Sequence, residues 1–402
     1  MMQQIPDAAG VRKSSLRPVE QLVFALREIY DGFGYSRYRM SKFEEYDLYA
    51  NHKDFLIAEG VITFTDTNGK LMALKPDVTL SIVKNTQDPA SGVQKLYYNE
   101  NVYRIRQDAA GYQEILQTGL EAIGAIDDYT LCEVMELALL SLQKAGGRYV
   151  LEISNLGLLS ELIDACGVSA VYKAQVLALI GEKNRHELQR LLEQAGVEAA
   201  DREKILALLR LDEDPAAALS QAEQILKGKV DDAKLQQFVR VVKALLAICG
   251  GQADPTADGQ TAAQPEGAVR LDFSLVGDPN YYDGVIFKGY LEGVPKSVLS
   301  GGEYNALMRK MGRKSGAIGF AVYMDLLERY LDAPEGYDTD ILLLYSADVP
   351  LEAVRARAEE LGRDGSRVMA QAEIPEGVRY RKLVRFDGSG DACGKEGPDG
   401  EQ

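Results

Sequence analysis

The side chains that most often bind metals or perform catalysis are few in this sequence and stand far apart. It contains two histidines and four cysteines: His52, His186, Cys132, Cys166, Cys249 and Cys393. They form no CxxC or HxxxH pair, the spacings at which zinc ligands usually occur. A GxxxxGK[ST] loop, which cradles nucleotide phosphates, is also absent from the sequence. We therefore expect no metal site and no cofactor.

Carboxylate, amide, hydroxyl and phenol groups suited to a polar ligand occur in three short motifs. They are Asp77 and Thr79 in KPDVT, Gln117 and Glu121 in QTGLE, and the pair Tyr281-Tyr282. A carboxylate can satisfy an ammonium group, and a carboxylate with a phenol can satisfy the nitrogens of a ring. The alternative is that Gln117 and Glu121 are merely exposed residues of a strand.

The segments around the first two motifs have the pattern of a sheet. The strand-like VITFTD (61–66) is followed by an Asn68-Gly69 turn and by LMALKP, which predicts a hairpin. Residues 95–107 and 111–124 are two further strand candidates, separated by a short loop. We expect the polar motifs to be positioned by these strands.

Helical patterns flank the strands and then take over the chain. Apolar residues at helical spacing predict a helix between Pro18 and Gly32, and Thr130 with Glu133 predicts the capped start of another. From about 156 to 249 the sequence is rich in Leu and Ala and predicts an insert of four or five helices. Residues 250–268 contain no aliphatic residue larger than Ala and predict a flexible loop.

Strand patterns return after the insert, at AVRLDFSLV, YYDGVIFKGYL and SVLSGG. The strands before and after the insert cannot form separate domains, because each half would leave its apolar faces without a partner. The pattern therefore predicts an α+β fold, in which one antiparallel sheet with flanking helices is interrupted by the helical insert. The glycines at 301–302 are interpreted as a turn at a strand end.

The last part of the chain predicts a smaller α/β unit. Residues 338–386 contain a strand, a helix and two more strands in succession. Residues 387–402 are polar and rich in Gly and Asp, which predicts a disordered tail.

Composition and charge narrow the class of protein. A hydrophobic fraction of 46% is ordinary for a soluble globular protein, and the formal net charge is −16. So acidic a chain is a poor candidate for binding nucleic acid, whose phosphates are neutralised by Lys and Arg. Sparse, unpaired cysteines and an N-terminus without an apolar segment favour a cytoplasmic protein with no membrane span.

Six segments resemble, in the same order, the catalytic domain of histidyl-tRNA synthetases over about residues 5–330. They are RYRMSKFEEYDLY, LKPDVTLSIVKN, YYNENVYRIRQDAAGYQEILQTGLEAIG, YYDGVIF, GGEYNALMRKMG and AIGFAVYMDLLERY. The resemblance implies a class II aminoacyl-tRNA synthetase-like antiparallel sheet within residues 1–330. It also implies a self-dimer through the segment around 16–45, and a truncated anticodon-binding-like α/β domain at 338–386.

The same resemblance implies a histidine-binding site at the polar motifs. Asp77, Thr79 and Gln117 would hold the α-ammonium group, and Glu121 and Tyr282 would bind the imidazole. Tyr281 belongs to the same motif as Tyr282. Arg104 is the candidate partner for the histidine carboxylate.

The residues that a synthetase uses to activate an amino acid with ATP are not kept. Gly277 and Leu326 stand where the family has arginines, and the arginine after the loop glycine is missing at Gly111-Tyr112. Losing one preorganised donor costs a factor of about 10²–10³ in rate, so losing two or three should abolish adenylate formation. We therefore expect no catalytic residues.

A histidine pocket without adenylation machinery resembles the family of ATP phosphoribosyltransferase regulatory subunits. This family implies a non-catalytic chain that joins a short-form catalytic subunit, as a hetero-octamer of four plus four. It also implies that histidine is the effector that inhibits the first step of histidine biosynthesis. Two alternatives stay open: a degenerate histidyl-tRNA synthetase, and an assembly scaffold without a ligand. The sequence predicts neither the partner interface nor the role of the helical insert.

Overall fold

The computed structural model describes residues 16–50, 60–105, 111–251, 267–278, 281–331, 337–388 and 391–396. The chain divides into two compact units, residues 1–331 and 332–402. Most of the predicted flexible loop at 250–268 lies outside the described residues, as does the end of the predicted tail, 397–402.

The strands of the first unit form two sheets. In chain order they are β1 (Ser36–Arg37), β2 (Phe43–Glu45), β3 (Thr63–Thr65), β4 (Leu71–Leu74), β5 (Val93–Ile105), β6 (Tyr112–Gly124), β7 (Tyr149–Asn155), β8 (Gly267–Leu271), β9 (Val285–Leu291), β10 (Leu299–Glu303) and β11 (Gly316–Tyr323). Strands β2, β4 and β3 form the small sheet that contains the predicted hairpin. The other eight form the central sheet.

The helices of this unit include those that flank the sheet and those of the insert. In chain order they are α1 (Pro18–Gly32), α2 (Tyr46–Ala50), α3 (Val78–Asn85), α4 (Asp128–Ala145), α5 (Leu156–Ala165), α6 (Ala170–Gly181), α7 (Arg185–Gln194), α8 (Ala199–Ala207), α9 (Pro215–Leu226), α10 (Asp232–Gly251), α11 (Asn305–Lys310) and α12 (Met324–Leu331). A short 3-10 helix, Leu208–Arg210, follows α8.

The central sheet has the order β1-β5-β6-β11-β10-β9-β7-β8. Neighbouring strands in this sheet are antiparallel except at its two edges, where β1 pairs with β5 and β7 pairs with β8 in parallel. Strand β7 precedes the insert, whereas β8 and β9, which pair with it, follow the insert. The prediction of one sheet interrupted by a helical insert is therefore confirmed. Gly301 and Gly302 lie inside β10 and not at a turn, because both pair with β11 and β9.

The start of α4 differs from the predicted capping box. Asp127 is the N-cap, and its side chain accepts hydrogen bonds from the Thr130 backbone N–H at 2.9 Å and from the Thr130 hydroxyl at 2.7 Å. Thr130 thus lies in the first turn, one of whose backbone N–H groups is satisfied by the Asp127 carboxylate. Glu133 is buried and takes no part in the cap.

The insert contains six α-helices and the 3-10 helix, more than the four or five predicted. Short turns at Gly167, Lys183 and Gly196, all with positive φ, separate helices that the Leu-rich pattern had merged. The insert shares its core with the sheet, since Phe238 of α10 packs edge to face on Phe273, just after β8, at 6.2 Å between ring centroids. It is therefore part of the same packed unit.

The second unit contains the predicted strand, helix and two strands. They are β12 (Thr339–Tyr345), α13 (Leu351–Leu361), β13 (Val368–Gln371) and β14 (Tyr380–Phe386). A fourth strand, β15 (Asp391–Glu396), completes the sheet order β13-β12-β14-β15. The tail prediction differs here, because residues 391–396 pair with the free edge of β14 and satisfy its backbone groups.

Across the parts of the chain that the structure describes, every helix is too short or too polar to cross a membrane.

Candidate functional site

The seven residues predicted to bind a ligand meet in one small cavity on the central sheet. They are Asp77, Thr79, Arg104, Gln117, Glu121, Tyr281 and Tyr282. The cavity encloses about 30 Å³. That is room for a water-sized molecule, so a larger ligand has to displace side chains at the cavity mouth.

Strand β6 supplies the two central polar groups. Because side chains alternate along a strand, Gln117 and Glu121, four residues apart, project from the same face. Both are buried, Gln117 being 4% and Glu121 2% exposed. The alternative that they are exposed strand residues is therefore wrong.

The strand beside β6 leaves space for these side chains. Glu121 lies opposite Gly319 of β11, where a Cβ atom would be 1.8 Å from Glu121 Oε2. Within β6, a Cβ atom at Gly119 would lie 2.5 Å from the Tyr98 hydroxyl. Two glycines thus allow a carboxylate and a phenol to approach the backbone of the sheet.

Among the described residues, the groups that hold Glu121 are hydroxyls. Its Oε1 accepts a hydrogen bond from Thr79 Oγ1 at 2.7 Å, and its Oε2 accepts one from the Tyr304 hydroxyl, also at 2.7 Å. Burial raises the pKa of Glu121 to about 8, against the lowering effect of these two hydrogen bonds. Within the described residues, Glu121 forms no ion pair. A neutral or weakly ionised carboxyl group at neutral pH is the result.

Thr79 has a partner within the protein itself. Its hydroxyl proton goes to Glu121 rather than to a ligand. This leaves the oxygen of Thr79 as an acceptor and leaves Asp77 and Gln117 as the groups for a cationic ligand end.

Asp77 is both a cavity residue and a helix cap. Its Oδ1 accepts a hydrogen bond from the Leu80 backbone N–H at 2.9 Å, which fixes the start of α3. Burial raises the pKa of Asp77, whereas the Leu80 hydrogen bond and the charge of Arg104 lower it. The segment before Asp77 is anchored by Lys75, whose fully buried Nζ lies 3.1 Å from Glu100 Oε2.

Arg104, at the end of β5, is the cation of the cavity wall. Its Nε donates a hydrogen bond of 3.3 Å to the Pro76 carbonyl, and its charge acts on Asp77, Tyr323 and Asp325. Its other guanidinium donors are thus placed beside the cavity, where a ligand carboxylate could bind.

Five tyrosines line the cavity, two of which were predicted. They are Tyr98, Tyr281, Tyr282, Tyr304 and Tyr323. Tyr281 packs on Tyr282 at 4.7 Å and on Tyr304 at 6.0 Å between ring centroids. Burial raises the pKa of each of the five phenols, so all of them stay protonated and can donate hydrogen bonds.

The sequence reasoning missed Tyr98, Ser300, Tyr304 and Tyr323. Tyr98 is buried in the sheet and also lines the cavity. Ser300 of β10 lines the cavity beside Tyr282 and Tyr323 and lowers the pKa of both phenols, against the larger effect of burial. The signal for Tyr304 was present in the segment GGEYNALMRKMG, which was used for its order along the chain and not for its phenol.

Other groups fill the space at Gly277 and Leu326, the two positions where the resemblance implies arginines. A Cβ atom at Gly277 would lie 2.8 Å from the Tyr282 ring, so the ring fills the space where a side chain would begin. Leu326 packs against the main hydrophobic core. Among the residues that line the cavity, Arg104 is left as the cation.

A second, larger cavity of about 820 Å³ lies between the insert and the central sheet. Tyr282 borders both cavities. Three of the basic residues around it are paired with acids: Lys173 with Asp164, Lys234 with Glu161, and Arg309 with Asp283. Its charged groups are thus largely compensated within the protein.

Comparisons with known proteins agree with this fold. Among curated relatives, the ATP phosphoribosyltransferase regulatory subunit of Oceanobacillus iheyensis is 26% identical over 362 residues, covering 88% of this chain and 85% of the relative. The protein of the same name from Bacillus thuringiensis is 25% identical, covering 87% of this chain and 81% of the relative.

Among solved structures, an ATP phosphoribosyltransferase regulatory subunit/histidyl-tRNA synthetase from Bacillus halodurans superposes with a TM-score of 0.73 at 23% identity, covering 92% of this chain and 94% of that one. A likeness at this identity shows the fold, a class II synthetase-like sheet with flanking helices. The sequence model of histidyl-tRNA synthetase matches residues 9–327, which contain the whole cavity. The chain belongs to the histidyl-tRNA synthetase family.

Proposed function

We propose that this chain is the regulatory subunit of ATP phosphoribosyltransferase and that it binds L-histidine in the small cavity as a feedback signal. The observation that carries the proposal is Glu121, a buried carboxyl group surrounded by hydroxyls and without a cationic partner among the residues that the structure describes. A buried, uncompensated acid in a polar cavity is a candidate ligand-binding group. The name shared by the curated relatives supports the regulatory role.

In the proposed complex the two ends of histidine are recognised by different groups. Glu121 accepts a hydrogen bond from one ring nitrogen, and the Tyr282 phenol bonds the other. Asp77 and Gln117 hold the α-ammonium group, while Arg104 pairs with the carboxylate. Because histidine is larger than the enclosed 30 Å³, the half-buried Arg104 and Tyr282 have to move outward as it enters.

The chain itself is proposed to be non-catalytic. Formation of an adenylate needs cationic donors that stabilise charge on the α-phosphate. With glycine at 277 and leucine at 326, Arg104 would have to do this alone, although the proposed pose already uses it for the histidine carboxylate. Catalysis is therefore left to a short-form catalytic subunit that condenses ATP with phosphoribosyl pyrophosphate, the first step of histidine biosynthesis.

The proposed assembly is a cytoplasmic hetero-octamer of four regulatory and four catalytic chains. Self-dimers of this chain form through the segment around residues 16–45, and the unit at 338–386 is a truncated anticodon-binding-like domain. Feedback requires that histidine bind the inhibited state more tightly than the active one. A coupling free energy of about 1–3 kcal/mol is typical of such regulation.

The test reconstitutes the complex from this chain and a short-form catalytic subunit. Product that depends on ATP and phosphoribosyl pyrophosphate should appear on mixing and decline as histidine is titrated in. Glu121→Gln should retain activation and lose histidine inhibition. The matched control is Glu114→Gln, an exposed position of the same strand, which should behave as the wild type.

Two results would contradict the proposal in different ways. Histidine-dependent exchange of pyrophosphate into ATP by this chain alone would identify a synthetase. Activation of the partner without any thermal shift or inhibition by histidine would identify an assembly scaffold with an unused cavity.

A further inference from the structure

The two hydrogen bonds on Glu121 come from different elements of the fold. Thr79 lies in the first turn of α3, whereas Tyr304 immediately precedes α11. Both hydroxyls reach Glu121 at 2.7 Å. The geometry around the carboxyl group therefore depends on where α3 sits relative to the segment that contains Tyr304 and α11.

These two elements are joined at the far end of α3 by one arginine. Arg313, three residues beyond α11, donates from Nη1 to the Val83 carbonyl at 2.6 Å and to the Thr86 carbonyl at 2.9 Å. Its Nε donates to Asp88 Oδ1 at 2.8 Å, and Asp88 Oδ2 accepts from the Lys314 backbone N–H at 2.9 Å. The Arg313 side chain is 12% exposed. We call Arg313 and Asp88 the clamp.

The clamp complements the cap at the other end of the same helix. The last carbonyls of a helix lack partners within it and carry partial negative charge, so a guanidinium there satisfies and stabilises them. At the N-terminal end the Asp77 carboxylate accepts a hydrogen bond from the Leu80 backbone N–H. Helix α3 is thus held at both ends by charged side chains, and Thr79 lies about two helical turns from Thr86.

The Asp88 carboxylate is itself held in its ionised form. The Lys314 backbone hydrogen bond and the Arg313 side chain lower the pKa of Asp88 to about 2. The negative charge of Asp88 therefore persists over the range in which the cavity would bind a ligand.

We propose that Arg313 and Asp88 are positioning residues for the cavity, which fix the distance between the Thr79 and Tyr304 hydroxyls that hold Glu121. Neither residue lines the cavity, so they act through α3 and the segment before α11. The inference rests on the proposed function insofar as the ligand is histidine, but the positioning of Glu121 is a property of the ligand-free chain.

The experiment compares Arg313→Gln with Arg202→Gln in the full chain. Arg202 is a matched control in the insert, because its guanidinium also binds a backbone carbonyl, that of Val197 at 2.6 Å, and lies 3.7 Å from Glu193. The first readout is the titration of the Glu121 carboxyl carbon by NMR without ligand, its signal being identified by Glu121→Gln. The second is the dissociation constant of histidine from calorimetry.

Arg313→Gln should move the Glu121 titration to higher pH, since a carboxylate that loses a hydroxyl donor is harder to ionise. It should also weaken histidine binding about tenfold, the effect of one hydrogen bond to a charged group. Arg202→Gln should change neither. Arg313→Lys, which keeps the charge but cannot reach Asp88 and both carbonyls together, should fall between.

An unchanged Glu121 titration in Arg313→Gln would overturn the inference, even if the variant is less stable. Should that variant not fold, Asp88→Asn serves in its place with the same expected directions. If the wild type binds no histidine, the proposed function fails, and the ligand-free titration alone decides whether the clamp positions Glu121.

Discussion

Two glutamates of the same unit, Glu121 and Glu133, are buried in ways that differ in one respect. Glu121 is 2% and Glu133 is 3% exposed, and each accepts a hydrogen bond from a tyrosine hydroxyl. Glu133 has in addition the ammonium group of Lys95 at 2.6 Å. Glu121 has a threonine hydroxyl in the corresponding role and no cation among its described neighbours.

This difference distinguishes Glu133, an acid that stabilises the fold, from Glu121, an acid that is available to a ligand. Removing a carboxylate from water costs several kcal/mol unless a partner compensates it. Lys95 supplies that partner for Glu133, so this pair is explained by the fold. Nothing in the described structure does so for Glu121, whose carboxyl group is therefore available to the ring of a ligand.

The largest expected effect comes from exchanging the two acids for amides one at a time. Glu121→Gln should weaken histidine binding about 100-fold, because an amide cannot share a proton with the ring, and should leave thermal stability equal or higher. Glu133→Gln should do the reverse. It should lower the melting temperature by several degrees, because Lys95 loses its partner, and should leave histidine affinity within about twofold of the wild-type value. Calorimetry and thermal unfolding measure both. Equal effects of the two variants on binding would contradict the distinction.

A methyl group added to β11 should displace Glu121 without changing its chemistry. In Gly319→Ala the new Cβ atom would overlap Glu121 Oε2 and the Leu120 carbonyl, so the carboxyl group must leave the Tyr304 hydroxyl and the facing backbone of β6 must shift. We expect a loss of histidine affinity of about 30-fold, measured by calorimetry, which is close to loss of the charged hydrogen bond itself. Gly32→Ala is the control, because its Cβ atom would meet nothing within 4 Å. Wild-type affinity in Gly319→Ala would mean that Glu121 is not a ligand-binding group.

The pH dependence of binding should distinguish Glu121 from an ordinary carboxylate. With a pKa of about 8, Glu121 carries a proton at neutral pH, and this proton can be shared with a neutral imidazole on binding. Above pH 8 the free protein has lost that proton and binding must take one up, so affinity should fall about tenfold per pH unit. Calorimetry in buffers of different ionisation enthalpy counts the proton. If the affinity for histidine stays the same between pH 7 and pH 9.5, this shared proton is excluded.

The same group should make the unfolding free energy depend on pH. Its folded-state pKa, about 8, lies above the ordinary value of 4.5, so the protonated form stabilises the fold and the contribution is lost as pH rises. The slope is about 1.4 kcal/mol per pH unit at most between 4.5 and 8. The difference in unfolding free energy between wild type and Glu121→Gln should therefore drift in this window, as denaturant titrations can show.

The sequence predicted the positions of the cavity residues better than their partners. Gln117 and Glu121 lie on a strand whose alternation and length were evident, so their common face followed. Tyr98 and Ser300 also lie on strands, but a cavity-facing and a core-facing side chain have the same alternation. Which of them reaches the cavity depends on neighbours across the sheet, such as Gly119, and these are set by pairing that a single sequence does not display.

The same limit explains the errors in the helices and the tail. The insert's helices are separated by turns of very few residues, and a Leu-rich period continues across such turns almost unbroken. Strand β15 has the composition of a tail and is recruited by the free edge of β14, a tertiary effect that local composition cannot indicate.

The smallest expected effect concerns Ser300, which lies behind the tyrosines and not beside Glu121. Its hydroxyl interacts with the phenols of Tyr282 and Tyr323, so Ser300→Ala should loosen both phenols while Glu121 keeps its two donors. We expect histidine affinity to fall about threefold, the effect of part of one neutral hydrogen bond, and the pH at which binding weakens to stay near 8. Calorimetry over the pH series measures both quantities. A shift of that pH in Ser300→Ala would mean that the tyrosines, and not the hydroxyls of Thr79 and Tyr304, control the ionisation of Glu121.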